Sequence, residues 1–193
     1  MTSRDEAALL AAPARRAERR IRLGRALEWG VSALSAALVA AIVVLVLRKT
    51  GHLSERTARL ILGAGAAVTA LAALAAYLRP LAERAGAVAL DRYHVLSDRL
   101  SSALAFLALP VASRTPFMEV AIADAVTVVG KVDPRRAVPF RLPRDAGAAF
   151  VLGLLALGVG LFEVRKHEVV VAAKTIDAVD VTADDLDAMR DFL

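Results

Sequence analysis

The sequence predicts an all-α integral membrane protein with three transmembrane helices and a small membrane-apposed helical unit between the second and third. Three observations carry this reading. Trp29–Leu47 and Leu60–Leu78 are uncharged runs of 19 residues each, bounded by Glu28 and Arg48 and by Arg59 and Arg79. At a helical rise of about 1.5 Å per residue each reaches ~28 Å, close to the ~30 Å hydrocarbon core of a bilayer. A third uncharged window, Ala146–Phe162, holds 17 residues, at the short end of the spanning range. Hydrophobic content of 58% would also suit a soluble core, so the clustering decides the class. One charge at mid-bilayer costs about 2.5–3.5 kcal/mol, and the 25 basic and 20 acidic residues all lie outside these windows.

The chain therefore divides into a basic N-terminus (1–28), a transmembrane hairpin (29–78), a helical segment (79–145), a third transmembrane helix (146–162) and an acidic tail (163–193). Met1–Pro13 is polar and Ala-rich and shows no obvious fold. Ala14–Leu27 carries Arg15, Arg16, Arg19, Arg20, Arg22 and Arg25, which suits a short basic helix entering the first span beside anionic headgroups. The apolar run after it is too long for the roughly 7–15-residue core of a secretory signal, and Leu47-Arg48-Lys49 offers no small-residue cleavage pattern. The segment is expected to stay as an anchor.

Trp29 and Tyr77 stand where amphipathic rings favour the interface. The short connection 48–59, with Gly51, makes the first two spans antiparallel. Gly63, Gly65 and Thr69, with Ala66, Ala70, Ala73 and Ala76, give the second span small side chains that let backbones approach closely. Their expected partner is the Ser32, Ser35, Ala36 face of the first span. With the N-terminus cytoplasmic, segments 1–28 and 79–145 hold seventeen basic residues on the inside, against eight in 48–59 and 163–193 outside. That bias favours N-in and C-out.

In 79–145, Leu81–Leu90 is a first helix candidate. Ser97 or Asp98 can cap a second, Arg99–Leu109, ended by Pro110. Thr115-Pro116 starts a third that runs to about Val129, where Gly130 can end it. Asp133-Pro134, Pro139 and Pro143 then predict an extended linker to Asp145. In the third span Ala149, Gly153, Ala156 and Gly160 share one face, a small-residue stripe suited to packing on the hairpin. Beyond Phe162, Val169–Val171 suggest a short strand, and Thr182 opens an acidic helix with Leu186, Met189 and Leu193 on one side. That helix lacks a closing signal before the last residue, and the reading expects it to continue or to dock on another subunit.

Few chemistries are open to this chain. With no Cys, disulfides and thiolate chemistry are excluded. His52, His94 and His167 lie in separate segments without ligand-spaced partners, so no metal site is expected. Gly63-Ala64-Gly65 lies within an apolar helix and lacks the Lys-Ser/Thr of a phosphate loop. No catalytic triad can be argued, and the spans contain no ionisable residue of the kind that marks an ion pathway. The net charge of +5 is distributed as membrane-flanking charge, so nucleic acid is not an expected partner. The one polar group that stands out is Asp91-Arg92, His94, Asp98-Arg99 and Ser101-Ser102. Its bland reading is a helix cap plus exposed ion pairs worth about 0–1 kcal/mol each. Its functional reading is a docking surface for a partner, carried by Asp91, Arg92, Asp98 and Arg99.

Ala89-Leu90-Asp91-Arg92, Leu96-Ser97-Asp98-Arg99-Leu100-Ser101-Ser102-Ala103-Leu104, Thr115-Pro116-Phe117 and Asp133-Pro134-Arg135-Arg136 resemble a pattern in a group of uncharacterised bacterial inner-membrane proteins, a domain of unknown function. The resemblance implies a membrane hairpin, a cytoplasmic helical segment, a third span and a long periplasmic helical region. It implies no activity and no catalytic residue. The function expected from all this is a non-enzymatic inner-membrane anchor or assembly module joining a cytoplasmic partner to the far side. The alternative is a subunit of a transporter or channel, for which only Ser32, Ser35 and Thr69 offer polarity within the spans. The expected partners are the lipid bilayer and a protein, either a second copy or another chain. No cofactor is expected.

Overall fold

The computed structural model describes residues 3–162. Among these every regular element is a helix. The first, α1 (Ser3–Lys49), is 47 residues long, or ~70 Å at the usual rise. It absorbs the polar start of the chain, where the sequence shows no obvious fold, together with the basic segment and the first apolar run. Pro13 lies inside it and cannot donate to the carbonyl four residues back. The loss is offset by tertiary packing: Leu10, Ala14 and Ala17 on either side of Pro13 are all buried. They share one helix face at i, i+4 and i+7.

A tight turn follows, with Gly51 at φ 82°. Arg48 Nε meets Glu55 Oε2 at 2.5 Å across it, and Ser54 Oγ caps the next helix by accepting from the Thr57 N–H at 3.2 Å. Helix α2 (Glu55–Leu78) then runs back along α1. Both are long and apolar enough to cross a membrane, and only 6% of each apolar window is buried. A core helix of a soluble protein would be covered. Here Val39, Val43, Leu60, Val68, Leu71 and Leu74 are all at least half exposed.

The two helices approach through small residues, on a different face of α1 from the one expected. A Cβ built on Gly30 would lie 3.2 Å from Ala73 Cβ, and one on Gly65 3.6 Å from Ala37 Cβ. Gly30 and Ala37 therefore replace Ser32, Ser35 and Ala36 as the seam. Ser32 instead donates to Asp145 Oδ2 at 2.9 Å, ahead of the last helix, and Ser35 bonds back to the Val31 carbonyl at 3.0 Å.

Four helices form a separate layer: α3 (Ala85–His94), α4 (Arg99–Leu107), α5 (Pro116–Val129) and the single turn α6 (Pro134–Ala137). The start of α5 at Thr115-Pro116 and its end at Gly130 are as expected, with Thr115 Oγ1 accepting from the Met118 N–H at 3.4 Å. Helix α3 begins four residues later than the Leu81–Leu90 candidate, and α6 interrupts what was expected to be an extended linker. The core of this layer is Ala87, Leu90, Leu100, Ala103, Ile122, Ala125 and Val129, completed by Leu10, Ala14 and Ala17 of α1. Full burial of a Leu or Ile side chain stabilises by about 1.5–3 kcal/mol, so Leu10 alone ties α1 firmly to this layer. Arg114, its side chain 7% exposed, donates to the Leu107 and Leu109 carbonyls at 3.1 Å and so satisfies acceptors left free at the end of α4.

Helix α7 (Ala146–Leu161) has 16 residues and packs against α1. The tail beyond Phe162, including the expected Val169–Val171 strand and the Thr182 helix, lies outside the described residues.

Candidate functional site

The polar group around α3 and α4 is assembled by an unusual turn. Val95, Ser97 and Asp98 all have positive φ (54°, 51° and 60°). Val95 ends α3 in the left-handed conformation usually held by glycine, and the Leu96 N–H closes the helix by donating to the Asp91 carbonyl at 2.9 Å. A β-branched residue there is strained, and Val95 is also 83% exposed.

This turn carries the chain back so that the start of α4 faces Asp91. The Asp91 carboxylate accepts from the Leu100 N–H at 3.0 Å and from the Ser101 N–H at 2.8 Å. At 2% exposure it is the one buried charged residue among those described. Asp91 therefore caps α4 from the preceding helix. Asp98, expected with Ser97 as one of two candidate caps, occupies the left-handed N-cap position and makes no side-chain cap bond. The geometry explains the exchange: a capping residue has extended backbone that aims its side chain at the free N–H groups, which φ 60° does not do.

Of the four residues read as a docking group, Asp91 is thus internal, while Arg92, Asp98 and Arg99 lie on the surface. Arg99 Nε reaches Asp124 Oδ2 at 3.4 Å with both side chains about half exposed, a contact worth about 0–1 kcal/mol. His94 ties α3 to the start of α6: its Nε2 accepts from the Asp133 N–H at 3.1 Å, and its ring meets Tyr93 edge-on at 5.0 Å.

The packing residues separate in the same way. Gly65 lies in the α1–α2 seam, and Thr69 donates its hydroxyl back to the Gly65 carbonyl at 2.9 Å. Gly63 faces open space. On α7, Ala149 is buried and Gly153 stands 4.0 Å from Leu38 Cδ1, whereas a side chain on Gly160 would meet nothing. Gly63 and Gly160 are accordingly not packing glycines among the described residues. Gly63 stands about 200° around the helix from Gly65, whereas Gly160 shares the Gly153 face but lies about two turns further along α7, past the contact with Leu38.

The tightest glycine contact among the described residues is elsewhere. A Cβ on Gly86 of α3 would stand 2.1 Å from the Ala14 carbonyl oxygen of α1 and 2.8 Å from Glu18 Cγ. Its signal in the sequence was a glycine inside an Ala-rich helical stretch, Ala85-Gly86-Ala87, where helix propensity alone would favour alanine.

Between α1 and α2 lies an apolar groove of about 560 Å3 whose walls include Leu34, Leu38, Ile61 and Leu62. Thr69 supplies its one polar side chain, already bonded. No known protein family, curated protein or solved structure matches this chain.

Proposed function

We propose that the protein is a non-enzymatic anchor or assembly module of a bacterial inner membrane, joining a cytoplasmic partner to the extracytoplasmic side. The observation that carries this reading is the continuity of α1. Its N-terminal part completes the core of the α3–α6 layer through Leu10, Ala14 and Ala17, and its C-terminal part is the most apolar long helical stretch among the described residues. A helix without a break transmits position along its length, so a partner held by the layer would be mechanically tied to the membrane. The apolar α1–α2 groove provides no polar path, which favours an anchor over a transporter subunit.

In this proposal α7 is the third span, α1 enters from the cytoplasm, and the α3–α6 layer lies on the cytoplasmic side against the membrane. Sixteen residues reach only ~24 Å, and local thinning of the bilayer or flanking cations such as Arg144 accommodate the shortfall. Phe150, Leu154, Leu157 and Leu161 are all more than half exposed, as lipid-facing residues are. The resemblance around Leu96–Leu104 supports the bacterial inner membrane.

The partner-facing surface in this reading is Arg92, Asp98 and Arg99, beside exposed Tyr93 and Val95. Arg92→Glu and Asp98→Arg, each on the surface, should abolish co-purification of a cytoplasmic partner while leaving membrane insertion and folding intact. A reporter fused after Thr50 should report the external side. Unchanged co-purification by both variants would refute the docking surface, and a cytoplasmic reporter signal would refute the orientation.

A further inference from the structure

The fold brings together basic residues that lie far apart in the chain. Arg16, Arg19 and Arg20 of α1 and Arg135 of α6 line one pocket of about 510 Å3, with Asp133 and Pro134 completing its wall. The three α1 residues fall at i, i+3 and i+4, so they share one face at a spacing where like charges repel. The Asp133 carboxylate in the pocket wall is bonded to neither of the exposed α1 arginines. Its Oδ1 accepts from the Arg135 backbone N–H at 2.8 Å, and its Oδ2 faces Arg136 Nε, which is outside the pocket, at 3.7 Å. Among the described residues, the side chains of Arg16, Arg19 and Arg135 have no hydrogen bond or ion pair.

Arg20 is held in advance. Its Nε donates to the Val138 carbonyl at 2.8 Å, and its guanidinium carbon lies 4.7 Å from the centre of the Phe140 ring. That contact also fixes the chain after α6 against α1, so the wall carrying Arg135 and the wall carrying the α1 arginines keep their distance. Guanidinium groups borne by residues of one concave site recognise tetrahedral oxyanions through paired, charge-assisted hydrogen bonds.

We propose that this pocket binds a phosphate-bearing anion, with Arg16, Arg19 and Arg135 as its movable donors and Arg20 as its fixed one. Two sources share that chemistry, a soluble phosphate compound and an anionic lipid headgroup. On the membrane reading above, Arg20 and Arg16 lie nine and thirteen residues before Trp29, about 13 and 20 Å along the helix. The polar layer of a bilayer adds only about 5–8 Å on each side. An upright α1 therefore favours the soluble source.

The test uses the full chain in nanodiscs of zwitterionic lipid, titrated calorimetrically with inorganic pyrophosphate. A second set of discs contains phosphatidylglycerol without pyrophosphate, and lipid retention is read by native mass spectrometry. Arg19→Gln and Arg135→Gln, whose side chains are exposed and hold nothing else, should each weaken the bound anion about tenfold or more. Arg56→Gln, in the first turn of α2 and far from the pocket in the chain, should leave it unchanged. Pyrophosphate binding lost in the pocket variants identifies a soluble ligand, and phosphatidylglycerol retention lost in them identifies a headgroup. The proposal is overturned if neither anion binds, or if Arg56→Gln weakens binding as much as the pocket variants do. Since binding in discs does not require any protein partner, a failed partner assay and a failed anion titration remain distinguishable.

Discussion

Replacing Gly86 with alanine sets two known effects against each other. Within a helix, Gly→Ala normally stabilises by about 1 kcal/mol. At Gly86 the added Cβ would stand 2.1 Å from the Ala14 carbonyl oxygen and 3.0 Å from the Ala14 carbonyl carbon. Both are backbone atoms of α1, so no rotamer change relieves the clash. Restoring an ordinary contact requires α3 to withdraw from α1 by about 1 Å. A gap of about 0.5–1 Å forfeits a quarter to a half of the dispersion energy along a contact, and Leu10, Ala14, Ala17, Ala87 and Leu90 all lie on this seam. Overpacking of this kind costs about 1–3 kcal/mol. Set against the helix gain of about 1 kcal/mol, the net expectation is a loss of ~1 kcal/mol, or about 2–4 °C in Tm for a chain of this size. Thermal unfolding in nanodiscs, followed by circular dichroism, measures it. Gly24→Ala is the matched control, because it is also helical and has nothing within 4 Å of its added Cβ; it should be neutral or slightly stabilising. If Gly86→Ala melts at or above the parent and tracks Gly24→Ala, α3 does not rest on α1 as described.

Two further outcomes follow from the same geometry. Asp91→Ala leaves the Leu100 and Ser101 N–H groups without their acceptor and should destabilise by about 2–4 kcal/mol, whereas Asp98→Ala should stay within about 0.5 kcal/mol; equal melting temperatures for the two would reject Asp91 as the cap of α4. On α7, Gly153→Leu should lower Tm by pushing α7 away from Leu38, while Gly160→Leu, directed into open space, should melt like the parent. A reversed order would mean that α7 meets its neighbour at the Gly160 end and not at Gly153.

The sequence by itself determined the elements that rest on local physics. Uncharged runs of 19 residues make long helices because such runs can satisfy backbone groups internally and bury no charge. The Thr115-Pro116 start and Gly130 end of α5 were legible because a capping hydroxyl and a proline at the first turn act within a few residues of each other. The helix over Ser3–Pro13 was not legible, because its support comes from Ala87 and Leu90, more than seventy residues away.

Rotation about a helix axis was decided only by the tertiary structure. An Ala- and Gly-rich helix presents small residues on nearly every face, so spacing alone selected Gly63 beside Gly65, while Gly160 shares the Gly153 face and differs only in how far along α7 it lies. The α4 cap shows the same limit in a polar setting. Asp98 stands at the right place in the chain, but the left-handed turn at Val95, Ser97 and Asp98 aims Asp91 at the free N–H groups instead. Likewise the α1 arginines were visible as a basic stretch, while their convergence with Arg135 depends on α6 closing onto α1 through Arg20, Val138 and Phe140. Each of these is a question of which distant backbone comes near, and local propensity carries no information about that.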